Sequence, residues 1–308
     1  MEITQVPNSW ELASLVCKFL FYIGAAASLG SAVSLCLYND GRRVTVHRLM
    51  RYQLIGGLIG FHAVLINFLV QVGLANYSGL AGAFDWFMAE ILLDTPLGDL
   101  SFLRLAGFTL VVANSVFFLR RLASLTTSPP LAFYRRAFTA VGIGFILLLV
   151  SFRLGGHVSV LPSQVQLALA LHVSCFAIWI GNLYPLWVAS TAEDLGSLQN
   201  TLRRFGDHAV FFVGLLLLAG IWLTLNLVNA PMELIATGYG RALSIKLLLV
   251  VALLGIAAIN KLRLVPALLE NEGVGNFQKS LRLEMIVAAA LLLATAWLST
   301  VVGPAMAH

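Results

Sequence analysis

The chain has 308 residues, of which 59% are hydrophobic and only 11% are charged. Soluble domains carry roughly 25% charged and about 45–50% apolar residues, so this composition excludes an ordinary soluble domain and favours a protein that lies in lipid. The net charge is +5, but no basic run with interleaved aromatic residues is present. We therefore expect no nucleic-acid partner.

Eight apolar runs follow one another along the chain, each of about the 18–25 residues that cross a hydrocarbon core. They predict helices at 13–38, 54–74, 102–119, 137–154, 167–189, 209–228, 242–260 and 283–302. The first run has no basic segment before it, which predicts a retained helix rather than a signal peptide. Between the second and third runs, "FDWFMAEILL" predicts a short helix along the membrane interface. The fold class is thus an all-α, polytopic membrane protein of about eight transmembrane helices.

The basic residues indicate an orientation. Most of them lie in the loops after helices 1, 3, 5 and 7: Arg42, Arg43, Arg48, Arg51, Arg120, Arg121, Arg135, Arg136, Arg203, Arg204, Lys261, Arg263, Lys279 and Arg282. Because cytoplasmic loops carry the excess of Lys and Arg, these loops are predicted to be cytoplasmic and both termini to lie outside.

Two short segments resemble each other, "TPLGDLSFLRL" from Thr95 and "TGYGRALSIKL" from Thr237. Each has a base six positions after its glycine, Arg104 in the first and Lys246 in the second. The match and the loop charges predict two parallel four-helix repeats, and a site often lies between such halves. The two bases either snorkel to the headgroups or pair with an acidic residue. The candidate partners are Asp94, Asp99 and Glu233.

Several soft or borderline metal ligands lie toward the predicted outer face. His172 and Cys175 are three residues apart, hence on one side of helix 5, and Trp179 follows on the same stripe. His157 is joined to that helix by a short loop. The accessory candidates are Met88, Met232, Met306 and His308, with His62 at mid-membrane as a relay. Thioether, thiolate and imidazole groups suit copper, above all Cu(I). The alternative is that these histidines only make helix contacts.

"LALALHVSCFAIWIGNLYPLW", "TGYGRALSIKLLLVVALLGIAAINKLRLVPAL" and "QKSLRLEMIVAAALLLATAWL" resemble the copper resistance protein D family. The resemblance is strongest from about His157 onward, and the length is similar to the family's short form without a soluble domain. It divides one integral membrane domain into a first transmembrane half, 1–136, and a family-like region, 137–308. It implies that His157 and His172 are metal ligands and that Trp179 and Gly181 complete the helix 5 motif.

The resemblance also implies a function, copper transport or handling across the bacterial inner membrane in copper resistance or homeostasis. Copper, as Cu(I) or Cu(II), would be captured by outer-face histidines, beside membrane lipid and with a small periplasmic copper-binding protein as partner. Two alternatives stay open: a haem-binding or redox membrane protein, and a membrane docking partner for a periplasmic copper protein. No nucleotide-binding motif or Ser/His/Asp set is found, so no enzyme activity is expected.

Overall fold

The computed structural model describes residues 7–76, 79–155, 161–192, 194–227, 232, 235, 237–270 and 273–302. In this part of the chain the helices are α1 (Ser9–Leu37), α2 (Arg43–Asn76), α3 (Trp86–Leu93), α4 (Pro96–Ser124), α5 (Leu131–Ser151), α6 (Ser163–Gly181), α7 (Leu183–Ala192), α8 (Leu195–Leu227), α9 (Gly238–Ile259) and α10 (Gly273–Trp297). The 3₁₀ turns are Leu80–Phe84 and Pro266–Leu269, and the π turns are Asn260–Leu264 and Leu298–Val302. The described residues contain no strand, which confirms the all-α prediction.

Among the described residues, eight helical segments are long and apolar enough to cross a membrane, and each overlaps one predicted run. α6 and α7 together make one span, Ser163–Thr191, and α9 and α10 each continue through a π turn, to Leu264 and Val302. Helix α3 confirms the short helix expected in the loop between the second and third spans. The chain is a multi-pass membrane protein. The orientation, the repeat and the division at residue 136 stay predictions.

Helix α1 is the centre of the bundle and packs against α2, α5, α6 and α10. Its second half is a run of small residues, of which 24–35 are all buried. Small side chains let helix backbones approach closely in a membrane, where van der Waals packing drives association. At Gly24 an added Cβ would lie 2.7 Å from backbone atoms of Gly56 and Gly60 on α2. The small residues of α1 therefore allow neighbouring helices to pack closely around it.

A very close backbone approach joins α1 to the end of α6. An added Cβ on Gly181 would lie 1.9 Å from the carbonyl oxygen of Ala26, and one on Gly30 would lie 2.1 Å from the carbonyl carbon of Gly181. The fifth span breaks just after this contact, between Gly181 and Leu183. Pro185 has no N–H to donate to the carbonyl of Gly181 four residues earlier, which interrupts the helical ladder here.

The long helices of the first half form a closed set of contacts. Helix α2 packs on α1 and α4, and α5 packs on α4 and α1. In the second half α6 packs on α8, α9 on α10, and α7 on α10. Among the described residues, α8 and α9 do not pack on each other in the way that α2 packs on α4. His172 on α6 and Lys246 on α9 lie beside this looser part of the bundle.

Candidate metal-handling site

His172 is fixed in orientation by helix α8. Its Nδ1 lies 3.0 Å from the carbonyl oxygen of Leu216. Because a carbonyl oxygen only accepts, Nδ1 is the donor, and in the neutral ring Nε2 is left with its lone pair. Gly220 makes room for the ring, since an added Cβ there would lie 3.1 Å from Cε1 of His172. Histidines that bind metals commonly donate their other N–H to a carbonyl or carboxylate in this way.

Cys175 and Trp179 continue the same stripe of α6 into the core. Each is only 3% exposed, and the Cys175 thiol is free of any disulfide. Both belong to the main hydrophobic core cluster of the bundle. The indole of Trp179 lies beside the carboxylate of Glu284. The stripe therefore runs from a partly exposed imidazole to a buried carboxylate.

Glu284 is the residue of this region that the sequence did not single out. It lies on α10 and is 3% exposed. Its Oε2 accepts a hydrogen bond of 2.6 Å from Nδ2 of Asn260, at the start of the π turn that ends α9. The side-chain oxygen of Asn260, Oδ1, is buried and has no hydrogen-bond partner among the described residues. We call Trp179, Asn260 and Glu284 the carboxylate cluster.

The prediction missed Glu284 because its eighth helix begins at 283, which puts this residue at the very start of the helix. Helix α10 begins at Gly273, so Glu284 lies well inside the span. An acidic residue next to an uninterrupted apolar run was the available signal, since intramembrane carboxylates are rare and usually face the bundle interior.

The other predicted ligands do not join His172. Among the described residues, no three of His, Cys, Asp and Glu come together in a group that could hold a metal ion. His62 is exposed on α2, and its Nδ1 lies 2.8 Å from the carbonyl oxygen of Leu58 on the same helix. Met88 is half-buried on α3, and Met232 is exposed in a turn. The remaining candidates, His157, Met306 and His308, lie outside the described residues.

Helix α3, which carries Met88, begins with a charged cap. Oδ1 of Asp85 accepts a hydrogen bond of 3.0 Å from the backbone N–H of Met88, and Oδ2 accepts one of 2.9 Å from Asn76. The bonds from Met88 and then Asn76 hold the pKa of the Asp85 carboxyl below its ordinary value. This cap attaches α3 to the end of α2.

The bases that are predicted to lie toward the outer face make different contacts. Lys18 and Arg104 make contacts inside the bundle, with Ser299 and Ser151 respectively. Neither Asp94 nor Asp99 forms an ion pair with Arg104 or Lys246, and Glu233 lies outside the described residues. The ammonium group of Lys246 is close enough to repel a positive charge at the imidazole of His172.

Two comparisons with known proteins bear on this arrangement. Residues 199–298 match the family model described as copper resistance protein D, over α8, α9 and α10. Copper transport protein CutJ of Bacillus subtilis (strain 168) is 23% identical over 297 residues, which cover 93% of this chain and 52% of that protein. The chain thus spans about half the length of this curated relative. No solved structure matches. The two similarities confirm the resemblance to the copper resistance protein D family read from the sequence.

Proposed function

We propose that this protein handles copper ions in the bacterial inner membrane, receiving them at the outer face and passing them along helix α6. The similarity to copper resistance protein D and to a copper transport protein supports the metal. The observation that carries the proposal is the Nδ1 bond of His172 to Leu216, which leaves Nε2 available as a ligand. His157 and Cys175 are the proposed companions of His172.

The carboxylate cluster extends this proposal inward. From His172 to Trp179 the stripe advances seven residues, which is about 10 Å along the helix axis. Cys175 lies between them, and Glu284 lies beside Trp179. Imidazole, thiol and carboxylate groups in this order offer copper successive ligands through the apolar interior. We propose that Glu284 is the innermost copper ligand of this route.

The scattered arrangement of ligands favours passage over storage. Conduction requires binding that is favourable enough for entry and weak enough for release. A closed site of three or four ligands would hold copper tightly, whereas single ligands at successive depths release it readily. The described residues contain no cluster of three such groups, and Lys246 next to His172 further weakens the binding of a cation there.

The test compares two single histidine variants in purified protein and in liposomes. His172→Ala should lose bound copper, measured by elemental analysis, and should slow copper uptake into liposomes. His62→Ala is the matched control, because His62 is also intramembrane but is exposed on α2. It should behave as wild type in both measurements. Equal copper binding and uptake by wild type and His172→Ala would remove His172 from the proposal.

The comparisons bear differently on the two alternative functions that the sequence left open, haem binding and docking. Both comparisons name copper, and neither gives support to haem. A role as a docking partner of a small periplasmic copper-binding protein stays a prediction. Partner binding without any copper uptake into liposomes would favour docking over transport.

A further inference from the structure

A second polar cluster lies near the predicted outer ends of the spans and shares none of its residues with the proposed copper route. We call it the outer cation pocket, made of Lys18, Tyr22, Arg104, Ser151 and Ser299. Nε of Arg104 donates a hydrogen bond of 2.9 Å to Oγ of Ser151 at the end of α5. The guanidinium carbon lies 4.7 Å from the ring centroid of Phe21 and 5.4 Å from that of Phe152. Arg104 is therefore fixed between two rings rather than extended toward water.

Lys18 reaches the same place from α1. Its Nζ donates a hydrogen bond of 2.9 Å to the carbonyl oxygen of Ser299, in the π turn that ends the last span. Tyr22 lies one turn further along α1, and its side chain is beside that of Ser299. Lys18 is three residues before Phe21 on the same side of α1, and Arg104 lies over the Phe21 ring, so the two cations are neighbours.

The charge of this pocket is not balanced by the described residues. Their ion pairs join Arg42 to Asp40 and Asp194, and Lys261 to Asp207, all at the predicted cytoplasmic side. Lys18 and Arg104 each have one hydrogen bond to a described residue, whereas a lysine carries three N–H donors and an arginine five. Two neighbouring cations in a membrane domain repel each other and are costly to desolvate without an anion.

We infer that the outer cation pocket binds a phosphate-type oxyanion. The planar guanidinium presents two parallel N–H groups that match two oxygens of a phosphate, and the ammonium group supplies a point charge for a third. Lys18, Tyr22 and Arg104 are only partly buried, so an anion can reach them. The proposal does not depend on copper and concerns residues outside the proposed route.

The depth of the pocket and its surroundings fit a phospholipid as one source of this phosphate. Arg104 is eight residues from the start of α4, which is about 12 Å along the axis, near the boundary between headgroups and hydrocarbon. Beside the pocket, a cavity of about 180 Å³ between α5 and α6 is lined mainly by apolar side chains. Phe152 contacts Arg104 and also lines this cavity, which has room for part of an acyl chain. Free phosphate is the other source.

The test measures ligand retention by native mass spectrometry of the purified full chain. The probes are dioleoylphosphatidylglycerol, dioleoylglycerol, which lacks the phosphate, and inorganic phosphate. Wild type should retain phosphatidylglycerol and not dioleoylglycerol, and the double variant Lys18→Gln/Arg104→Gln should bind it at least about tenfold more weakly. Arg241→Gln is the matched control, since Arg241 is an exposed cation near the start of α9, on the same predicted outer side, and this variant should bind the probes as wild type does.

Retention of phosphatidylglycerol that is lost only in the double variant supports the proposal with lipid as the source. Binding of inorganic phosphate alone, again lost only in the double variant, supports it with the free ion as the source. Equal binding of both probes by wild type and the double variant would overturn it. A second measurement needs no substitution: phosphatidylglycerol or phosphate should protect Lys18 of wild type from an amine-reactive reagent. Labelling that neither probe reduces would also overturn the proposal.

Discussion

Replacement of Gly181 by alanine tests the central helix contact of this fold. The added Cβ would lie 1.9 Å from the carbonyl oxygen of Ala26 and 2.9 Å from Cα of Gly30. Ordinary van der Waals contact begins near 3.4 Å, so α1 and α6 would have to separate by about 1.5 Å at this point. Overpacking typically costs about 1–3 kcal/mol, and backbone atoms cannot swing aside as a side chain can. We therefore expect Gly181→Ala to lose about 3 kcal/mol of stability, at the upper end of that range.

The loss can be followed by thermal unfolding with a thiol-reactive fluorophore. The cysteines are free, with Cys17 and Cys175 buried and Cys36 partly buried, so the dye reports the opening of the bundle. For a chain of this size, about 3 kcal/mol corresponds to a fall of roughly 6–10 °C in Tm.

The control for this prediction is Gly142→Ala on α5. No atom lies within 4 Å of a Cβ added at Gly142, and alanine is the better helix former by about 1 kcal/mol. Its Tm should equal or slightly exceed that of wild type. If the Gly181→Ala and Gly142→Ala proteins unfold within about 2 °C of each other, roughly 1 kcal/mol, the contact between α1 and α6 does not constrain the fold as argued.

Four further predictions concern the candidate site and helix α3. Gly220→Val should displace the ring of His172 and weaken copper binding about tenfold, or about 1.4 kcal/mol, in titrations of purified protein; unchanged affinity would contradict this. Glu284→Gln should slow copper uptake into liposomes while the copper bound at His172 is retained, and uptake at the wild-type rate would exclude the carboxylate from the route. Lys246→Gln should tighten copper binding by up to about tenfold because it removes a repelling charge, so weaker binding would be evidence against a repulsive role. Because the folded pKa of Asp85 is lowered, its stabilisation of α3 is present at neutral pH and is lost as pH falls through the folded pKa; hydrogen exchange of α3 should accelerate in that acidic range, and a constant rate would argue against the cap.

The spans could be predicted because hydrophobic length is a local property of the chain. Every predicted run overlaps a helix that can cross a membrane. The ends were harder to predict, since helices continue past the lipid into polar segments, as α2 does from Arg43. This error at the ends also placed Glu284 at the edge of its helix. The stripe of His172, Cys175 and Trp179 was predictable from spacing alone, because residues three and four apart share a helix face.

The sequence by itself determined the all-α membrane architecture, the short helix α3 and the family resemblance, because apolar runs and local motifs depend only on neighbouring residues. Only the tertiary structure decided what each polar side chain faces. It turned Lys18 and Arg104 into the bundle, left His62 on its surface, and joined Glu284 to Trp179 and Asn260. These outcomes depend on how helices distant in sequence rotate and cross, and close contacts such as that of Gly181 with α1 set those crossings.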